Sequence, residues 1–344
     1  MAYLFNQSWR TLLDFFDKNK MSRLSQQNWL QKFASTEEMF KLVKKSDLKK
    51  YPLEVSNDKK KIRVITLLDK DYPQLLQQIE NPPVFIYLLG KDLNYRENLT
   101  ISVIGSRHPT AYGEKVTNLI IDYFTHPDIT IISGMAIGID SIAQKRALQK
   151  NMNSIAVLGS GPDVCYPKSE YRLYQDLIEK GSIISEYPPG TQPLRYHFPM
   201  RNRIISGLSK QLIVSEAGRK SGTMFTAQSA LEQGRDVYAI PGSIFMKESQ
   251  GCHQLINDGA KIIMNLEDMS QISQEILHSL GQEDLLMIHL INQFRPDFDQ
   301  LQKLTKYSIS NILIRLGKLE SLTLIEQKNG NYYLTQNGFN YIKH

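Results

Sequence analysis

A chain of 344 residues, 41 % hydrophobic and 22 % charged, has an ordinary globular composition and is long enough for two or three domains with a sizeable core. It holds no run of 18 or more apolar residues, and its N-terminus reads as no signal peptide, so neither a membrane span nor a secreted protein is expected. Two cysteines, Cys165 and Cys252, are too few for a disulfide framework or a four-ligand zinc site and read as reduced, packed thiols of a cytoplasmic protein.

The net charge of +6 is unevenly placed. Residues 1–63 carry 14 Lys/Arg against 7 Asp/Glu, and the remainder 27 against 28. The basic segment suits an anionic partner, although solvated lysine-rich helix faces are the commoner cause of such an excess. A central region without excess charge can hold an anion only through a few placed cations and backbone amides.

In chain order, residues 1–50 space their aromatic and aliphatic anchors helically (Trp9, Leu12, Leu13, Phe16; Trp29, Leu30, Phe33), which predicts a small helical domain over 1–60. The polar break "SNDKKK" leads into a strand, a turn, a short helix and a strand ending at Gly90, a lead-in over 61–98. From Leu99 short β-branched runs alternate with helical stretches, the pattern of a parallel sheet with helices on both faces, and this Rossmann-like α/β core extends to residue 266. A late apolar stretch, "AKIIMN", reads as an edge strand. Residues 267–284 read as a linker. Over 285–344, three helices and two β-prone runs joined by Asn329-Gly330 predict a winged helix.

The chemistry lies in the turns that end the core strands: "GSRHPTAYG", "SGMAIGID", "GSGPDVCYP" and "SEAGRKSGT". Glycine lets backbone approach a ligand closely, and helix N-termini present free amides, so several such turns on one sheet edge make an extended anion site. Pure turn geometry is the alternative for any one of them. Arg107 stands in the first turn, Lys168 follows the third, Arg201 and Arg203 lie in "HFPMRNRIISGLS", and Arg219 and Lys220 precede Ser221, Gly222 and Thr223. Arginine forks match phosphate oxygens at two points, whereas lysine supplies a mobile point charge.

The chain lacks a P-loop, a HExxH helix, a GxSxG elbow and any clustered Cys/His, so neither cofactor nor metal is expected. His108 and His197 lie near arginines and are more often packing residues than acid–base groups. Glu186 and Glu216 could bind a ribose hydroxyl or act as bases, but orienting the nearby arginines is at least as common a role. Tyr166, Tyr187 and Phe198 are the aromatic residues near the right turns, each equally at home in a core.

Taken together, "VIGSRHPTAYG", "ISGMAIGIDSIAQKRAL", "IAVLGSGPDVCYPKSEYRLY", "FPMRNRIISGLSKQLIVSEAGRKSGTMFTAQSALEQGRDVYAIPG" and "QGCHQLINDGAKII" resemble the DNA-processing protein A (DprA/Smf) family almost continuously over residues 62–265. The resemblance implies a non-enzymatic single-stranded DNA-binding protein. It would protect incoming DNA and load a RecA-type recombinase during natural transformation, as a homodimer built through the Rossmann-like domain. It also implies an N-terminal helical domain of sterile-alpha-motif type and a C-terminal winged helix. The implied DNA pocket comprises Gly105, Ser106, Arg107, Gly134, Gly138, Lys168, Arg201, Arg203, Ser221, Gly222 and Thr223.

Two readings compete: a sensor of a small nucleotide, and an enzyme like the nucleotide phosphoribohydrolases of the same superfamily. In the hydrolases the last turn reads PGGxGTxxE; here it reads "RKSGTMFT", with Thr226 where the catalytic glutamate would stand.

Overall fold

The computed structural model describes residues 62–269, apart from 94, 96, 126 and 127, then residues 282–321, 324–335 and 338. The helical domain expected over 1–60 lies outside the described residues. The lead-in forms β1 (Arg63–Thr66), a single helical turn α1 (Gln74–Gln77) and β2 (Phe85–Gly90). Next come β3 (Thr100–Gly105), α2 (Ala111–Tyr123), β4 (Thr130–Ser133), α3 (Ile139–Gln149), β5 (Asn153–Leu158), α4 (Tyr171–Lys180) and β6 (Ser182–Ser185). The core continues with α5 (His197–Gly207), β7 (Gln211–Glu216), α6 (Thr223–Glu232), β8 (Asp236–Ala239), α7 (Gln250–Asn257) and β9 (Lys261–Ile262).

The sheet order is β1-β2-β6-β5-β4-β3-β7-β8-β9. From β6 to β9 every neighbouring pair is parallel, as the alternating runs predict. The lead-in joins the same sheet, with β2 antiparallel to β6 and β1 antiparallel to β2. The stretch read as an edge strand is indeed the last in the order, β9.

Every residue of β3 and β7 is buried, and their side chains divide between the two faces of the sheet. Ile101 and Val103 of β3 and Ile213 of β7 enter the cluster under α2 and α3. Ile104, Leu212 and Val214 enter the opposite cluster, with Ile204 and Ile205 of α5, Ala227 and Ala230 of α6, and Cys252 and Leu255 of α7. A strand covered on both sides has no solvent face, which is why these runs read as unbroken apolar segments. Chain order runs outward from β3 through β4, β5 and β6 on one side, and from β7 through β8 and β9 on the other. The turns after β3 and β7 therefore diverge over opposite faces at their carboxyl ends, the place where ligands of open α/β sheets bind.

Beyond the core, α8 (Gln282–Phe294) begins within the stretch read as linker, followed by α9 (Phe298–Thr305) and α10 (Ile309–Ser321). A hairpin of β10 (Ile325–Lys328) and β11 (Asn331–Leu334) closes the unit, its turn made by Asn329 and Gly330 at φ +51° and +86°. A capping box between Asp297 and Gln300 starts α9. Met287, Ile291, Ile312 and Leu316 belong to the same apolar cluster as Ile120 and Ile121 of α2. Among the described residues no helix is long and apolar enough to cross a membrane.

Candidate nucleic-acid interface

The turn after β3 is held in place by the end of β7. The register between the two strands shifts at Ile104/Gly105, and there the Ser106 N–H donates to the Glu216 carbonyl at 2.7 Å. Thr110 donates its backbone N–H and its hydroxyl to the two carboxylate oxygens of Glu216, at 3.0 and 2.5 Å. The same hydroxyl accepts the Gly113 N–H at 3.2 Å and so caps α2. A Cβ at Gly113 would stand 2.7 Å from Glu216 Oε2, so a side chain there would push the carboxylate out of this grip. Glu216 thus orients a threonine, where the sequence reading left a ribose hydroxyl, a base role and the orienting of an arginine open. On the far side, Thr223 donates its hydroxyl to the Gly105 carbonyl at 2.9 Å, and Ser221 Oγ accepts the Thr223 N–H at 3.2 Å.

The turn after β4 is built from the inside. Gly138 has φ +90°, and a Cβ on it would collide with the Ser106 carbonyl oxygen. Gly134 donates its N–H to Asp140 Oδ2 at 3.1 Å and accepts from Arg201 Nη1 at 2.8 Å. Arg201 is 4 % exposed and also donates to the Val157 carbonyl. Burial pulls its guanidinium down to about 10, against the buried Asp140 and with a small further push from the charge of Arg107. Burial likewise pushes the Asp140 carboxyl up, opposed by Arg201 and by the Gly134 and Ala136 amides. Gly134 and Gly138 therefore serve turn geometry, and Arg201 is a buried brace between the turns after β4 and β5.

Arg203 is also held inside, its Nη2 2.7 Å from Glu186 Oε1. This is the arginine-orienting role open to Glu186 in the sequence. His197 is buried, with Nδ1 3.0 Å from the Gly159 carbonyl and its ring stacked on Tyr187 at 3.9 Å, so it packs. Tyr187 is buried with it.

Among the cations of this edge, Arg107, Lys168, Arg219 and Lys220 are exposed and make no ion pair with the described residues. Lys168 opens a 3-10 turn after Pro167 and is flanked by Tyr166, which tilts against Phe198 at 5.4 Å, and by Tyr171. Tyr171 is 59 % exposed at the start of α4 and stacks on Tyr174. It was missed in the sequence because, among the tyrosines of "YPKSEYRLY", nothing local tells a packed ring from an outward one. Ser106 and Ser221 are half-buried and Gly222 is exposed, with open space beside it. Chemically, the edge combines cations with the half-buried Ser106 hydroxyl, donors suited to phosphate oxygens, while the first amides of α6 are taken by Ser221 and Gly222. Among the described residues no group of three His, Cys, Asp or Glu side chains could hold a metal ion.

The model of the family described as DNA recombination-mediator protein A matches residues 63–274. DNA processing protein DprA of Streptococcus pneumoniae is 41 % identical over 215 residues, which are 62 % of this chain and 76 % of that protein. Protein Smf of Synechocystis sp. is 40 % identical over 234 residues, 67 % of this chain but only 57 % of that longer relative. Among solved structures, the X-ray structure of DNA processing protein A from Streptococcus pneumoniae superposes with a TM-score of 0.59 at 34 % identity, covering 77 % of this chain and 92 % of that one. DNA processing protein A from Helicobacter pylori, whose structure is described as giving insight into a single-stranded DNA binding mode, reaches 0.56 at 28 % identity, covering 64 % and 98 %.

Proposed function

The chain belongs to the DNA recombination-mediator protein A family, and from that premise we propose that it binds single-stranded DNA along the strand-end turns of its sheet. The observation that carries this reading is the placement of Arg107 and Lys168. Both are exposed and without ion pairs to described residues, and the strands they follow, β3 and β5, are separated by β4. Two inter-strand spacings amount to about 10 Å. One mononucleotide phosphate would engage one of these turns, whereas a DNA strand brings a row of phosphates that both can hold without regard to sequence. Tyr166 and Tyr171 beside Lys168 offer faces for bases.

On this reading the protein is a mediator without catalytic activity. It shields incoming single-stranded DNA in the cytoplasm during transformation, hands it to a RecA-type recombinase and works as a homodimer. The buried Thr226 in the first turn of α6 supports the non-enzymatic part, since it occupies the position of the hydrolase glutamate. Fluorescence anisotropy with a labelled oligothymidine, competed by thymidine monophosphate, tests the reading. The oligonucleotide should bind and resist millimolar mononucleotide. Displacement at equal phosphate concentration would favour a small-nucleotide sensor.

A further inference from the structure

The turn after β8 carries the most exposed apolar side chains on this edge of the sheet. Ile244 is 74 % exposed, Phe245 90 % and Met246 39 %. The segment is nevertheless built to a shape. Ser243 accepts the Phe245 N–H on its hydroxyl and the Met246 N–H on its carbonyl, and Met246 accepts the Ser249 N–H. Both flanks are tied to the candidate site. Tyr112, on the first turn of the helix that follows Arg107, donates its hydroxyl to the Pro241 carbonyl at 2.8 Å. On the other flank a Cβ at Gly218 would meet the Lys247 carbonyl at 3.4 Å, so the loop lies against the turn that bears Arg219 and Lys220.

We propose that the Ile244–Met246 loop is a second contact for the DNA strand, a stacking platform one strand beyond the pocket, with Phe245 under a base and Arg219, Lys220 and Lys247 on the neighbouring phosphates. This inference rests on the single-stranded DNA reading above. An aromatic ring held out among cations is the composition of a single-strand binding surface, because every base has a face to stack and every linkage a charge. Arg219, Lys220 and Lys247 are exposed and make no ion pair with described residues; the loop's one carboxylate, Glu248, is half-buried. Continuity adds to the case. In the order β5-β4-β3-β7-β8 the loop extends the line from Lys168 through Arg107 and Thr223, over about 19 Å at ordinary inter-strand spacing.

Length dependence tests it. Affinities of the full chain for oligothymidines of about four and about sixteen nucleotides are measured for wild type, Phe245→Ala, Arg219→Ala/Lys220→Ala and Arg107→Ala. Phe245→Ala should weaken the long oligonucleotide roughly tenfold and leave the short one unchanged, since loss of one base stack is on that order. The Arg219/Lys220 pair should behave alike and flatten the salt dependence of the long oligonucleotide alone. A Phe245→Trp variant should have its emission quenched by the long oligonucleotide and not by the short one. Unchanged affinity of Phe245→Ala for the long oligonucleotide would overturn the proposal and leave the loop as a protein-docking surface. The pocket is judged separately by Arg107→Ala, which should weaken both lengths. If it weakens neither, the pocket reading fails, while the Phe245 result still decides the platform.

Discussion

Thr110 grips both carboxylate oxygens of Glu216 across the point where the chain reverses its order in the sheet. The pairing joins the turn after β3 to the end of β7, with Arg107 three residues upstream. It explains a buried carboxylate, 3 % exposed, that makes no ion pair with the described residues: it is satisfied by N–H and O–H donors.

Thr110→Val should therefore cost about 1.5–3 kcal/mol of stability, the ordinary value of a hydrogen bond to a charged group, and should weaken oligothymidine binding severalfold by loosening the Arg107 turn. Thr110→Ser should restore both. Thermal melts and anisotropy titrations of the two variants decide it; wild-type binding by Thr110→Val would show that the clamp does not position Arg107.

Gly138→Ala places a Cβ against the Ser106 carbonyl at φ +90°. About 1–3 kcal/mol of destabilisation is expected from the backbone conformation alone, with more from the collision. Gly222→Ala, with nothing near the new methyl, should fold like wild type. Denaturant titrations of the two side by side measure the contrast.

These two glycines show how far the sequence could be read. The α/β architecture and the line of turns were legible, because apolar runs and glycine-rich bends follow directly from a sheet buried on both faces. The division of labour within the turns was not. Arg107 and Arg201 look alike in the sequence, yet one is exposed and the other lies buried on the carbonyls of Gly134 and Val157. That difference is set by residues 67 and 44 positions away, beyond any local pattern. The antiparallel pairing of the lead-in with β6 was likewise hidden, since Phe85–Gly90 reads the same in either direction.

The outward cations of α10 are already engaged. Arg315 pairs with Glu283 and Asp284, and Lys318 with the buried Asp284 at 2.6 Å. Replacing both by Ala should lower the melting temperature, because the buried Asp284 would lose both of these cations. The same change should alter oligothymidine affinity by no more than a few fold. A hundredfold loss would move the DNA onto this unit.

Cysteine chemistry offers a footprint. Burial pushes the Cys252 thiol up to about 12, and the side chain is wholly inaccessible. Cys165 is also raised by burial but is half-buried next to Tyr166. At neutral pH a thiol reagent should label Cys165 slowly and Cys252 only on unfolding. Saturating oligothymidine should protect Cys165. Peptide mass mapping with and without oligonucleotide reads the outcome directly.

The salt dependence of oligothymidine binding, compared between wild type and the Arg107→Ala/Lys168→Ala double variant, tests the central claim most directly. A log–log plot should fall with a slope of roughly −0.7 per neutralised phosphate. Each single variant should reduce the slope by roughly one contact for every oligonucleotide sequence alike, and the double variant by about two, with weaker binding than either. A folded double variant that kept the wild-type slope and affinity would contradict the account and place the strand elsewhere on the chain.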